Sequence, residues 1–290
     1  MSGPTGNGRG ARRRGRGVRA VLGLLILAAC TPMREQIADR GRPLGFRPVT
    51  IAAGGFPLFG MLRTGPPGAA LTVYIEGDGY AWIDRATPAA DPTPRETPVF
   101  DMAAADRAAP AVLYLARPCQ FAAAPACTPA LWTTARYGAA AVAALSGAID
   151  RAKADAGAGA VELVGWSGGG VMAALVAARR RDVALIVTAA ANLDTAAWAR
   201  HHGVTPLDGS LDPVAAAPLT KAVPQMHYHG GRDGVVPSAT AIRYLDGLGE
   251  SAAARQVVIA EFDHRCCWAA RWPDLMAEAR RLRERDGALR

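Results

Sequence analysis

The chain has 290 residues, of which half are hydrophobic and a fifth are charged. This composition supports a large buried core and excludes a chain that is disordered throughout. The formal net charge is +8, but six arginines fall in residues 1–30, which contain no acidic residue. The rest of the chain carries 27 basic and 25 acidic side chains, so its charge does not indicate a nucleic-acid partner, and none is expected.

Residues 1–29 have the composition of a signal peptide. Arginines precede an apolar run of about ten residues, which is shorter than the roughly 20 that a membrane span needs. The run ends in Leu27-Ala28-Ala29-Cys30, which resembles a bacterial lipobox. The resemblance implies cleavage before Cys30 and lipid on its sulfur. The product would be a membrane-anchored lipoprotein of the cell envelope, facing the periplasm or the exterior; an ordinary signal peptide is the alternative.

The remainder of the chain predicts a tether followed by one folded domain. Residues 30–48 are polar and contain proline and glycine, as expected of a tether, and the domain is predicted over 49–290. Short β-branched runs then alternate with alanine-rich helical patterns, which predicts an α/β protein with a mostly parallel central sheet flanked by helices. Strands are expected at 71–76, 111–116, 161–166, 183–189, 225–229 and 256–261. Helices are expected at 136–156, 168–181, 238–248 and 268–285.

Four cysteines follow Cys30, and an even number in an exported protein permits disulfides. Cys119 and Cys127 flank a short proline-containing loop and are predicted to be bonded to each other. The adjacent Cys266 and Cys267 are either bonded or both free. No CxxC pair or Cys–His spacing indicates a metal site, so no metal is predicted.

A serine lies in the motif G-x-S-x-G, between a predicted strand and a predicted helix. The motif reads Gly165-Trp166-Ser167-Gly168-Gly169. A serine on so sharp a turn needs neighbours without side chains. Its hydroxyl then projects at the start of the helix, where the helix dipole favours negative charge. Ser167 is therefore the predicted nucleophile.

An acid and a base follow the serine in the chain. Asp233 lies in a turn after a predicted strand, 66 residues beyond Ser167, where it could hold an imidazole in one tautomer. Asp194, after the preceding strand, is the competing position for this acid. His264 follows the last predicted strand, 31 residues beyond Asp233, and is the expected general base. The other histidines are expected to be exposed or structural: His201, His202, His227 and His229.

The order Ser167, Asp233, His264 resembles that of the α/β-hydrolase superfamily, and the resemblance covers residues 49–285. It implies an α/β-hydrolase fold with a small cap and no cofactor. It also implies an oxyanion hole made of the Gly168 amide and an amide of the loop after the 71–76 strand. Asp78 is the expected second donor, with Gly79 next. A carboxylate there would oppose a forming oxyanion unless it is paired or points away.

The implied activity is that of a serine hydrolase that cleaves a small-molecule ester through an acyl-enzyme, as a carboxylesterase does. The alternatives are a peptidase or amidase on the same triad and a non-catalytic envelope lipoprotein. Residues 192–224, where a lid is usually inserted, are broken by prolines and glycines. They predict a short cap without a long lid helix, an open and shallow site, and a preference for short acyl chains.

Overall fold

The computed structural model describes Gly3, residues 32–249 and residues 253–289. Apart from Gly3, the predicted signal peptide lies outside these residues, and so does the predicted lipidation site at Cys30. Within the described part of the chain, no helix combines the length and the apolar composition that a bilayer span requires.

The strands of the described residues form one eight-stranded sheet. They are β1 Arg47–Ala53, β2 Phe56–Arg63, β3 Leu71–Ile75, β4 Ala111–Leu115, β5 Val161–Trp166, β6 Val183–Ala189, β7 Gln225–Gly230 and β8 Ala254–Ile259. Their order in the sheet is β1-β2-β4-β3-β5-β6-β7-β8. The pairs β1–β2 and β2–β4 are antiparallel, and the other five pairs are parallel. This confirms the expected α/β-hydrolase fold with its mostly parallel sheet.

Helices cover both faces of this sheet. They are α1 Met33–Gly41, α2 Pro98–Ala105, α3 Ala139–Asp155, α4 Gly168–Ala177, α5 Thr195–His202, α6 Pro213–Thr220, α7 Ile242–Leu248 and α8 Trp268–Leu289. The core on one face involves α1, α2 and α8, and the core on the other involves α3 and α4. Side chains along β3 alternate between these cores: Tyr74 belongs to the first, and Val73 and Ile75 to the second. The central strands β3 and β4 are therefore buried on both faces.

The hairpin formed by β1 and β2 was not predicted from the sequence. Gly54 and Gly55 make its turn with φ values of +58° and +85°, a conformation that glycine adopts without strain. Each strand contains a proline, Pro48 and Pro57, which lowers its agreement with a strand pattern. Pro48 is accommodated because β1 is an edge strand with an unpaired outer side.

Most of the predicted tether is folded into the domain. The helix α1 lies inside residues 30–48, and its Ile37 is fully buried. Phe46 is also buried and packs edge-on against Phe100 of α2, with ring centroids 5.7 Å apart. Only one narrow side of α1 is buried, so its sequence is mostly polar and gives little sign of the packing. The domain that the structure describes therefore includes residues 33–48, which the sequence analysis assigned to a tether.

Candidate active site

Ser167 lies on the turn between β5 and α4. Its φ of +54° and ψ of −126° are strained for a residue with a side chain. The surrounding glycines make this turn sterically possible. A β-carbon on Gly165 would collide with the backbone of Gly169, and one on Gly169 would collide with the carbonyl of Ile75. The structure thus places Ser167 at the carboxyl end of a central strand and at the start of a buried helix.

Asp233 and His264 are brought together, although 31 residues separate them in the sequence. His264 Nδ1 lies 2.9 Å from Asp233 Oδ2, and the carboxylate is completely buried. The other oxygen, Oδ1, accepts hydrogen bonds from the backbone amides of Val235 and Val236 at 2.8 and 2.7 Å. Because Oδ1 is occupied in this way, Oδ2 is left to accept from Nδ1. This arrangement leaves Nε2 of His264 as the nitrogen that can accept a proton.

Trp166 connects the turn that carries Ser167, called the serine turn, to the loop between β8 and α8 that carries His264. Its indole Nε1 donates to the carbonyl oxygen of His264 at 3.1 Å, and its ring lies 4.8 Å from the imidazole, centroid to centroid. Trp268 donates to the same carbonyl at 3.2 Å. Among the described residues no hydrogen bond joins Ser167 to His264. Such bonds are often long before substrate binds. Sequence reasoning missed this role of Trp166, which stands at a variable position of the motif.

Asp194, the competing acid, has another role. It is buried and forms the N-cap of α5, where Oδ1 accepts from the amide of Ala197 at 2.8 Å. Its Oδ2 pairs with Arg243 at 3.2 Å. Both oxygens are therefore occupied by partners other than His264.

The remaining histidines do not join the Asp233–His264 pair. His227 and His229 are fully buried on β7, and burial lowers the pKa of His227 to about 3 and that of His229 to about 4. Both are accordingly neutral in the core. His201 is exposed, whereas the Nε2 of half-buried His202 lies 2.7 Å from the carbonyl oxygen of Val235. His202 thus ties α5 to the loop of residues 231–237 that carries Asp233, here called the acid loop.

The loop after β3 presents amides beside the serine turn. The amide of Gly77 donates to Glu76 Oε1 at 2.8 Å, and the amide of Tyr80 donates to the carbonyl of Pro92 at 3.0 Å. The two amides between them, of Asp78 and Gly79, have no acceptor among the described residues. Gly79 has a φ of +67°, and a β-carbon there would collide with the Pro92 carbonyl. The sequence-predicted donors of this loop are therefore the ones that remain available.

The Asp78 side chain lies directly beside Gly168. Its carboxylate is so close that a β-carbon on Gly168 would collide with it. The carboxylate is ion-paired with Arg117 and with Arg136 Nη1, the latter at 2.6 Å, and it accepts from the Tyr137 hydroxyl at 3.2 Å. Burial opposes ionisation of Asp78, but Arg136 and Arg117 outweigh it and hold its pKa below the ordinary value. The acidic group that the sequence placed near the oxyanion is thus neutralised by two guanidiniums.

The side chain of Glu76 holds the first residue of the 77–80 loop through a hydrogen bond. It is buried and accepts from the Gly77 amide and, at 2.7 Å, from the hydroxyl of Tyr114. Burial raises its pKa to about 7, and the two hydrogen bonds and nearby Arg117 only partly offset that effect. Its protonation state therefore changes near neutral pH.

Asp78, Arg117 and Arg136 are called the Asp78 cluster below. A cavity of about 760 Å³ lies between the acid loop and this cluster. Arg136 borders it from the Asp78 side, and Val235 borders it from the acid loop. The cap contributes Trp198 of α5 and Leu207 of the segment between α5 and α6, and Trp82 comes from the loop after β3. The cap has no long lid helix, as expected, and the shallow site around Ser167 stays a prediction. Short helices can still form a wall when they are tied down, as α5 is by Trp198 and His202.

Both pairs of cysteines are bonded in the structure. Cys119 and Cys127 form a disulfide with their α-carbons 5.7 Å apart, and Cys266 is bonded to its neighbour Cys267. The second bond lies in the turn between His264 and α8. In the part of the chain that the structure describes, no group of three or more His, Cys, Asp or Glu residues is arranged to hold a metal ion.

No family model and no curated protein matches the sequence. Solved structures do match. An α/β serine hydrolase homologue from Coxiella burnetii has a TM-score of 0.55 and 16% identity, over 82% of this chain and 96% of that one. An esterase from Pyrococcus furiosus has a TM-score of 0.59 and 12% identity, over 82% of this chain and 93% of the esterase.

An acylaminoacyl peptidase from Pyrococcus horikoshii matches with a TM-score of 0.58 and 12% identity. The match covers 88% of this chain but only 43% of the peptidase, so this chain spans less than half the length of that protein. At such identities the likeness establishes the fold. The chain therefore has the fold of α/β serine hydrolases.

Proposed function

We propose that this protein is a serine hydrolase that cleaves a small-molecule ester, with Ser167 as nucleophile, His264 as general base and Asp233 as the acid that orients the base. The observation that carries the proposal is the hydrogen bond of His264 with buried Asp233, 2.9 Å long, on a loop that Trp166 ties to the serine turn. The strained backbone of Ser167 gives further support, because strain of this kind is concentrated at functional sites.

The proposed reaction has two halves. Ser167 Oγ bonds to the ester carbonyl carbon as His264 Nε2 takes the hydroxyl proton, and the resulting oxyanion accepts hydrogen bonds from the Gly168 amide and from Asp78 or Gly79. The bond to the alcohol oxygen then breaks, and the imidazolium returns its proton to the departing alcohol. Water, deprotonated by His264, attacks the acyl-enzyme, so that a carboxylic acid is released and Ser167 recovers its proton.

Ester cleavage is preferred over peptide cleavage because of the extent of the structural matches. The esterase and the serine hydrolase homologue match over nearly their whole lengths, whereas the peptidase has more than half of its chain outside the match. A peptidase or amidase that uses the same residues is the alternative function. A non-catalytic envelope protein is disfavoured by the intact Asp233–His264 pair.

The test is hydrolysis of a panel of p-nitrophenyl esters and of matched p-nitroanilides by the purified protein. We expect turnover of esters, loss of activity in Ser167→Ala, and retention of activity in the control Ser146→Ala, which changes a serine of α3 that bonds Arg180. Turnover of anilides above esters would favour the amidase. Ester turnover that persists in Ser167→Ala would contradict the assignment of the nucleophile.

We also propose that the protein is exported and anchored to a membrane through lipid on Cys30. The support is the Leu27-Ala28-Ala29-Cys30 sequence after an arginine-rich, then apolar, segment. Replacement of Cys30 by serine should block processing or release the protein from the membrane fraction. A mature wild-type protein that begins at another residue and carries no lipid would contradict this proposal.

A further inference from the structure

The buried cluster beside Gly168 has an excess of positive charge. Two guanidiniums, Arg117 and Arg136, form ion pairs with the single carboxylate of Asp78. Glu76 also lies near Arg117, but burial raises its pKa to about 7, so it adds a full negative charge only above neutral pH. The side chains of the two arginines are only 5% and 8% exposed, so the excess charge is poorly screened by water. A buried charge of this kind is stabilised when a counter-ion approaches it.

The two arginines of the cluster are not equivalent. Arg117 uses one terminal nitrogen for Asp78 and the other for the carbonyl of residue 136. Arg136 uses Nη1 for Asp78 and Nε for the carbonyl of Thr133, and its side chain also has the Tyr137 side chain as a hydrogen-bond partner. No carboxylate or carbonyl oxygen of the described residues accepts from its Nη2. Arg136 is also the member of the cluster that lines the 760 Å³ cavity.

The rest of the cavity offers no net counter-charge for Arg136. Asp84 and Arg85 both line it, so their formal charges cancel. Asp84 Oδ1 accepts hydrogen bonds from the amides of residues 86 and 87, each 2.8 Å long. The walls nearest Arg136 are aromatic, since the guanidinium carbon lies 5.8 Å from the centre of the Trp198 ring. The cavity therefore combines aromatic walls with a cation, Arg136, that shares its ion-pair partner Asp78 with a second arginine.

The position of His264 decides which half of an ester enters this cavity. In the proposed reaction His264 protonates the departing alcohol, so the alcohol must leave on the His264 side. A second hollow, of about 230 Å³, is lined by Trp166, whose ring lies 4.8 Å from that of His264, by Arg265, and by Gly79 of the loop after β3. We assign the alcohol half to this hollow. The acyl half then occupies the larger cavity that Arg136 borders.

On these grounds, and resting on the proposed function, we propose that the preferred substrates are esters whose acyl chain ends in a carboxylate, that is, monoesters of dicarboxylic acids. The scissile carbonyl lies at Ser167, the methylenes pass along the apolar walls, and the distal carboxylate pairs with Arg136. Arg136 is thus a specificity-determining residue, and Arg117 holds Asp78 and the 77–80 loop in place.

The experiment measures kcat/KM for the monobutyl esters of glutaric, adipic and pimelic acid. Each is compared with the butyl ester in which a methyl group replaces the distal carboxylate: pentanoate, hexanoate and heptanoate. We expect a preference of about 10- to 100-fold for the carboxylate at the chain length that reaches Arg136, as is typical of a hydrogen bond to a charged group. Release of acid is followed by titration at constant pH.

Variants then assign the preference to Arg136. Arg136→Gln should reduce the ratio of carboxylate to methyl substrate to about one, whereas Arg136→Lys should keep part of it because the charge is retained. The matched control is Arg200→Gln, which removes an exposed arginine of the cap helix α5 that does not line the cavity. It should leave the ratio unchanged.

If Arg136→Gln does not fold, inhibition of the wild-type enzyme replaces it. Free adipate should inhibit hydrolysis of a neutral ester at least tenfold more strongly than hexanoate does. Equal or better use of the methyl substrates, or equal inhibition by the two acids, would overturn this inference while leaving ester hydrolysis intact. Absence of hydrolysis for every ester would instead contradict the proposed function.

Discussion

Two buried ion clusters lie at opposite ends of the sheet, and their charges differ. At the amino ends of the strands, Arg280 pairs with Asp106 at 2.8 Å and with Glu162 at 2.9 Å, and Arg283 also pairs with Glu162. Two cations there form ion pairs with two carboxylates. At the carboxyl ends, the two arginines of the Asp78 cluster share one carboxylate.

We propose that this difference separates a structural cluster from a functional one. The balanced cluster joins α8 to the sheet, and its groups are satisfied by one another and by Thr72, whose hydroxyl bonds both Glu162 and Arg280. The unbalanced cluster lies next to Ser167 and a cavity, so its excess charge is available to an oxyanion or a ligand. Ligands of open α/β sheets bind outside the carboxyl ends of the strands, which is where the imbalance is found.

The largest effect is expected from breaking the proposed triad at the carboxyl end. His264→Ala and Asp233→Asn should each lower kcat by about 10⁴-fold, because the base is lost in the first variant and held in the wrong tautomer in the second. Steady-state kinetics on a p-nitrophenyl ester measures the change. Asp194→Asn is the control and should be mild, since asparagine also caps helices well. A severe loss in Asp194→Asn with a mild one in Asp233→Asn would move the acid to Asp194.

Breaking the amino-end cluster should affect stability and not turnover. Arg280→Met leaves the carboxylates of Asp106 and Glu162 with less compensation and should lower the free energy of unfolding by about 3–5 kcal/mol. Urea denaturation measures this loss, and kcat of the folded fraction should be retained. The control Arg281→Met changes an exposed residue of the same helix and should be nearly neutral. A large fall in kcat without loss of stability would show that the two clusters do not divide their roles in this way.

Glu76 should make the carboxyl end sensitive to pH. Its folded pKa of about 7 lies above the ordinary value of 4.5, so the native state retains a proton that the unfolded state releases. The stabilisation of the folded protein by protonated Glu76 is therefore fully present below pH 4.5 and is lost as the pH rises through 7. Glu76→Gln should avoid this loss, and its stability relative to wild type should rise by about 3 kcal/mol between pH 4.5 and 8. Parallel stability curves for the two proteins would contradict this expectation.

The smallest of these effects is expected at the Cys119–Cys127 disulfide, which follows Arg117 in the chain. The double variant Cys119→Ser/Cys127→Ser should lose about 2–3 kcal/mol, as calculated for the closure of so short a loop. The double variant Cys266→Ser/Cys267→Ser is the comparison, because adjacent cysteines enclose no loop and their bond constrains the unfolded chain little. An equal loss in the two double variants would rule out loop closure as the source of the stabilisation.

The sequence predicted the sheet and the candidate triad better than it predicted their surroundings. Ser167 was found because a strand-turn-helix motif is local, and Asp233 and His264 because each follows a strand. Arg117 and Arg136 were missed, since nothing in the sequence shows that two distant arginines meet one aspartate. The helix α1 was missed because it packs through a narrow face, and the cavity because it forms only when loops from several parts of the chain assemble.

The proposed function depends most directly on Ser167 being the nucleophile. The wild-type protein should be treated with a fluorophosphonate, digested, and analysed by mass spectrometry to locate the modified residue. We expect one adduct, on Ser167, and none in Ser167→Ala. Modification of a different serine, or no adduct in protein that hydrolyses esters, would contradict the account.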